Sequence, residues 1–273
     1  MSWSDVFKYA KGVAANYGVE SAKKVERADD GLPFGARIGG VLTVQASAFI
    51  RANINGSLIT APVHSDNVIK GISRLRLDIP GKVHRFYLTL DNEGSESGTE
   101  GGHESFLQVY TDAQGDFKEI LYCTHITRTI PETEEDQAAF TGEAGYGLGQ
   151  SNYSLSREQL VECGVDPITL AGAMAADEDG IMYSRDIGSS DQDFVAPLQG
   201  TETRIDDANG EHGLKQSIYY MPYVRELKGA GGREYLIIAT EIVESRDGDA
   251  SRRSIHVDFM VGIPLEHERV SVL

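Results

Sequence analysis

Apolar residues near the start of the chain recur at spacings of three and four: Trp3, Val6, Phe7, Ala10, Val13, Ala14 and Tyr17. This is the period of one buried face of an α-helix, and Gly18 is a residue at which such a helix stops. From Val41 the spacing becomes that of strands. Residues 41–50, 68–77, 83–90, 105–110 and 117–125 predict strands, the last two joined by a turn that carries Asp and Gly where a hairpin needs them. Ser156-Arg157-Glu158-Gln159 is a capping box opening a short helix that ends at Gly164, and Asp166-Pro167 caps a second over 168–176. A β-meander closes the chain with strands at 217–227, 234–244 and 254–263. In the last of these Ile255, Val257, Phe259, Val261 and Ile263 alternate, which predicts one buried and one wet face. Residues 235–239 are apolar on both faces, as in a central strand. The pattern predicts an α+β fold: a mainly antiparallel sheet, an N-terminal amphipathic helix and short helices mid-chain. It divides into a helical segment 1–27 and one domain 28–273, itself a β-rich part 38–128, a loop-and-helix insert 129–213 and a meander 214–273.

Charge changes this picture in one place. The 273 residues carry 25 Lys plus Arg against 42 Asp plus Glu, a formal −17 that repels a phosphate backbone and argues against nucleic acid. Residues 1–27 invert the sign, with five basic and three acidic side chains, so the helix stands apart from an acidic body. No charged segment followed by an apolar run marks a secretory signal, and no run approaches the roughly 18 apolar residues of a membrane span. Cys123 and Cys163 lack metal-ligand spacing. The expectation is a cytoplasmic protein with two reduced thiols and no transmembrane segment.

The usual chemical signatures are missing. The seven histidines have no metal-site spacing, and no nucleophile elbow, Walker lysine or zincin motif occurs. Gly145-Tyr146-Gly147-Leu148-Gly149 lacks the βαβ context and the lysine of a phosphate loop. The acidic stretches 177–180 and 206–210 lack the Gly and Glu of a calcium loop. These readings imply no catalytic residue, no metal and no cofactor. His256 and Asp258, two apart on a strand, share a face and could orient an imidazole for acid–base work. Their alternation with the buried stripe equally places them on a solvated face. Pro222 cannot donate to a ladder and points to an edge or bulge. Tyr219 and Tyr223 beside it would then suit a partner surface, or else fill a half-buried face. Residues 31–40, Gly-Leu-Pro-Phe-Gly-Ala-Arg-Ile-Gly-Gly, read as a shaped, partly buried lead into a strand.

Residues 32–40 resemble the signature of a bacterial family of unknown function typified by YjfK. Phe106-Leu107-Gln108-Val109-Tyr110, Met221-Pro222-Tyr223-Val224-Arg225 and Glu234-Tyr235-Leu236 support the resemblance, which runs from about residue 25 to the C-terminus. It implies a cytoplasmic bacterial protein associated with membrane-remodelling proteins of the phage-shock type, and it supplies no catalytic residue.

Two functional expectations follow. The first is a non-catalytic adaptor linked to envelope or membrane stress. Trp3, Phe7, Lys8 and Lys11, with Tyr219 and Tyr223, would meet a protein partner, and residues 1–18 would touch an anionic membrane peripherally. The alternative is a small-ligand binder or enzyme with an anion site near Arg37, the one side chain of the 31–40 segment able to grip carboxylate or phosphate bidentately.

Overall fold

The structure, a computed structural model, describes residues 27–89, 104–229, 232–243 and 254–273. The predicted N-terminal helix, with Trp3, Phe7, Lys8 and Lys11, lies outside the described residues.

The described residues form twelve strands: β1 (Val41–Val44), β2 (Asp66–Leu77), β3 (Lys82–Leu88), β4 (Ser105–Thr111), β5 (Phe117–Thr129), β6 (Asn152–Ser156), β7 (Gly180–Arg185), β8 (Leu198–Ile205), β9 (Gly213–Glu226), β10 (Arg233–Val243), β11 (Ser254–Pro264) and β12 (Val270–Val272). All their pairings are antiparallel. Strands β2-β3-β4-β5-β11-β10-β9 run side by side, and β8 pairs with both β2 and β9. The circuit closes, giving an eight-stranded barrel. Closure removes the edges of the barrel itself, which would otherwise present unpaired backbone groups.

The expected α+β architecture is therefore corrected. The fold is mainly antiparallel β, and among the described residues the helices are four short ones: α1 (Ser47–Ile54), α2 (Glu134–Thr141), α3 (Arg157–Glu162) and α4 (Pro167–Ala173). Three strands lie in what the sequence suggests is a loop-and-helix insert, and one of them, β8, is the stave that closes the barrel. Its residues Leu-Gln-Gly-Thr-Glu-Thr-Arg-Ile carry little apolar alternation, because Glu202 and Arg204 face a polar lumen. The predicted strand 41–50 ends at Val44. Ala48, Phe49 and Ala52 are buried at helical spacing, and an apolar run this short does not separate strand from helix. The capping box at Ser156 and the Asp166 cap form as expected.

Two long strands are shared with flanking flaps. β2 pairs with β1 at its start and with β8 over Ile72–Leu77, and β12 extends the flap beyond β1. β9 pairs with β8 over its first half and with β7 at Val224 and Tyr223, and β6 lies beyond β7. Pro222 sits where β9 passes from one neighbour to the other. Its carbonyl accepts from Asp186 N, and no ladder bond requires the N–H that it lacks.

The two faces of each stave build two cores. Inside lie Leu75, Val83, Phe106, Leu121, Ile218, Tyr220, Ile237 and Met260. Outside, beneath the flaps and helices, lie Ile72, Phe86, Leu107, Tyr122, Met221, Leu236, Ile238 and Phe259. This double burial explains why residues 235–239 are apolar on both faces.

Residues 31–40 do form a shaped lead into β1. A 3-10 turn spans Pro33–Gly35, with Gly31, Gly35 and Gly39 at φ of 72°, 65° and 85° and Phe34 at 59°. Phe34 tolerates this conformation while packing against the rings of Phe117 and His267. The buried Asp29 carboxylate accepts from Ile38 N and Arg27, fixing the far end of the segment.

Candidate functional site in the barrel lumen

Period-two alternation sends Arg85 and Tyr87 of β3, Glu202 and Arg204 of β8, Gln216 of β9, Glu241 of β10, and His256 and Asp258 of β11 into the barrel. They meet toward one end, around a cavity of about 180 Å³ that is also lined by His125 and Arg128 of β5. A bulge in the β5–β11 pairing between Phe259 and Met260 shifts the register, so that Arg128 faces Asp258.

Arg85 lies deepest, with its side chain 1 % exposed. Its Nε donates to Gln108 Oε1 at 3.1 Å, and Nη1 stands 3.7 Å from both Glu202 Oε2 and Glu241 Oε1. Its guanidinium carbon lies 5.1 Å from the centre of the Phe106 ring. Glu202 accepts from Tyr87 Oη at 3.0 Å and from Gln216 Nε2 at 3.1 Å. Among the described residues three buried atoms of this network have no partner: Arg85 Nη2, Gln216 Oε1 and Ser73 Oγ, the last on β2 directly opposite Arg85.

Nearer the opening, two imidazole–carboxylate pairs lie side by side. His256 Nε2 is 2.9 Å from Glu241 Oε2. Asp258 accepts from Arg128 through both oxygens at 2.6 and 2.8 Å, and its Oδ1 is 3.1 Å from His125 Nε2. The environments push the carboxylates apart. Burial raises Glu241 above the ordinary carboxylate range, and the His256 hydrogen bond offsets only part of that while Glu202 and Asp258 add to it. Burial also disfavours the Asp258 anion, but the bonds from Arg128 and His125 outweigh it and hold the group well below its usual value. Glu202 behaves like Asp258, with Arg85 and the surrounding donors overcoming burial. One carboxyl able to exchange a proton thus stands beside two fixed anions, an arrangement that suits acid–base chemistry.

The other lumen groups are quiet. Burial pushes the Cys123 thiol up to about 12, which keeps it from acting as a thiolate nucleophile. Glu241, His256 and Asp258 offer donor atoms within 4.8 Å of one another. They fit a metal ion poorly, because both Asp258 oxygens are engaged and the Arg128 charge opposes a cation. Glu234 on the outer face of β10 is a useful contrast. It accepts from Leu58 N, Ser57 Oγ, Tyr183 Oη and Arg225 Nε, so its acceptor sites are filled by the fold.

His256 and Asp258 are the sequence-derived pair brought into this site, and the wet face assigned to them is the lumen. The other candidates lie elsewhere. Arg37 is exposed and pairs with Asp30 at 3.2 Å. Tyr223 is fully buried and accepts from Gly149 N at 3.0 Å, which leaves no surface for a partner, and Tyr219 is half-buried in the middle of the sheet. Pattern reading missed Arg85, Glu202, Glu241, His125 and Arg128. Their one signal is charge at inward positions of strands whose opposite positions are apolar.

The chain matches no family model, no curated protein and no solved structure. No helix among the described residues is long and apolar enough to cross a membrane.

Proposed function

We propose that this protein binds a small polar molecule in the lumen of its barrel, with Arg85 and Gln216 at the floor of the site and the Glu241–His256 pair at its side. The observation that carries this reading is the group of unsatisfied buried atoms, an N–H of Arg85, the amide oxygen of Gln216 and the hydroxyl of Ser73. Leaving such groups unpaired costs about 1–3 kcal/mol each, and a ligand with one acceptor and one donor recovers that cost. The cavity admits a molecule of roughly six to ten non-hydrogen atoms and contains charges of both signs, which favours a compact, hydrogen-bonding molecule over a lipid or an extended chain. The adaptor reading rests on residues 1–18 together with Tyr219 and Tyr223, and the lumen geometry does not bear on it.

The test is to denature the purified full chain and analyse the released small molecules by mass spectrometry, beside Leu214→Trp, which puts a larger side chain at a half-buried residue of β9 that lines the cavity. A polar molecule released in stoichiometric amount by the wild type and absent from a folded L214W protein is the expected result. The reading fails if the wild type releases nothing and a panel of polar metabolites leaves its melting temperature unmoved.

A further inference from the structure

A second recess lies on the outside of the barrel, independent of the lumen. Residues 30–33 and the β4–β5 turn at 111–115 wall it, the outer face of β2 and β3 forms its floor, and its volume is about 820 Å³. Arg74 of β2 stands directly opposite His84 of β3. Arg76 and Lys82 follow two positions further along each strand, on the same face. Like charges on neighbouring strands repel. In a chain with 42 acidic side chains, a group of three such bases is not required by composition.

The acids at the cleft do not neutralise these bases. Asp30 pairs with Arg37 at 3.2 Å, and Asp112 pairs with Lys118 at 2.8 Å. Among the described residues Arg76 and Lys82 form no ion pair, and Arg74 donates to the carbonyl of Ala28 at 2.6 Å. The fourth group is His84, 7 % exposed, with Nδ1 buried and without a partner. Its burial, together with the charges of Arg74 and Lys82, lowers its pKa to about 4, so the ring is neutral and able to donate one hydrogen bond.

We propose that this cleft is a binding site for a small phosphate-bearing molecule, held by Arg74, Arg76 and Lys82 with the His84 ring at its floor. Three bases match a multiply charged anion better than a single carboxylate. The cleft is of the size that takes a small molecule, and the −17 charge of the whole chain disfavours a nucleic acid there. The shaped segment at 31–40 gains a role as the wall of the site, while its own arginine serves to neutralise Asp30.

The experiment is an NMR titration of the full chain labelled at histidine, with the His84 signal assigned by His84→Gln. The probe is inorganic phosphate, with sodium chloride of equal ionic strength and sodium acetate as parallel arms. Phosphate should shift the His84 resonances saturably and raise the midpoint of their pH titration by a unit or more, because a bound anion favours the imidazolium. Arg76 and Lys82 are exposed, so Arg76→Ala and Lys82→Ala should keep the fold and weaken phosphate binding at least tenfold each. The proposal is overturned if chloride reproduces the shifts, if acetate binds as well as phosphate, or if the two variants bind as the wild type does. Leu214→Trp should leave the titration unchanged, which separates this site from the lumen.

Discussion

Arg85 Nη1 and Glu202 Oε2 face each other at 3.7 Å inside the barrel, each side chain almost wholly removed from solvent. The pair joins β3 to β8, two staves separated by β2, and so spans the interior at the seam where the barrel closes. Two charges taken out of water need both each other and further hydrogen bonds. Among the described residues Glu202 has these from Tyr87 and Gln216, whereas Arg85 has one, to Gln108, and an idle Nη2. The imbalance falls at the floor of the cavity.

Arg85→Met should destabilise the protein by about 3–5 kcal/mol, because it strands a buried Glu202 carboxylate beside Glu241. Arg85→Met combined with Glu202→Gln should recover a large part of that loss, since neither charge is then left alone. Urea unfolding of the two single variants and the double variant gives the coupling directly. Additive losses would show that the residues do not act as a pair.

Glu241→Gln should stabilise the fold at neutral and alkaline pH. A raised carboxyl pKa means that the folded state binds the proton more readily than the unfolded chain. Its contribution is full below the unfolded pKa, near 4.3, and is lost as pH rises through the folded value. An amide keeps an acceptor for His256 without the charge. The variant should therefore gain roughly 1 kcal/mol at pH 8, within the range seen when a strained site is relieved, and nothing at pH 4. Thermal unfolding across that range checks it; an equal gain at both ends would point to packing instead.

The order of the last three staves was legible in the chain, and the barrel was not. Ile255 to Ile263 alternate so plainly that β11 and its buried face could be read directly, and Tyr235 to Ala239 announced a strand covered on both sides. The closing stave β8 left no such signal, because its inward positions include Gly200, Glu202 and Arg204 rather than hydrophobes. A polar face reads as solvent-facing unless closure is already known. The same ambiguity hid the site: His256 and Asp258 were visible as a pair, but only the pairing of β10 with β11 sets Glu241 directly across from His256. Arg37 has the glycine-rich setting, yet the bases of the outer cleft are Arg74, Arg76 and Lys82, scattered through strands whose sequences look ordinary.

Asp258→Asn should cost about 1–3 kcal/mol at pH 7, where it removes the anion that Arg128 and His125 grip. The Asp258 pKa is depressed in the fold. Its contribution is complete above the unfolded carboxylate value and declines as pH falls from about 4 toward the folded one. The variant should thus differ most from wild type at neutral pH and converge on it in acid. Urea midpoints at pH 7 and pH 2.5 read the difference. A gap that persists in acid would assign the loss to packing around the amide.

Gly200→Ala should open the barrel at its seam. A Cβ at Gly200 would lie 2.0 Å from the carbonyl oxygen of Arg76 on β2, a backbone atom that cannot swing aside. β8 is paired into the sheet through β2 and β9 alone, so strain at Gly200 is relieved by parting the β8 backbone from β2. The expected loss is about 1–3 kcal/mol or more. Gly115→Ala serves as the comparison: its φ of 92° carries a conformational cost, but a Cβ there would meet nothing within 4 Å, and the turn lies at the far end of the β4–β5 hairpin. Hydrogen exchange should show amides of β8 and of Ile72–Leu77 losing protection in the Gly200 variant while β10 and β11 keep theirs. Loss spread evenly over all staves would mean that the barrel unfolds as one unit. A selective loss would show that the seam is its weakest line, and with it the wall that carries Glu202 into the lumen.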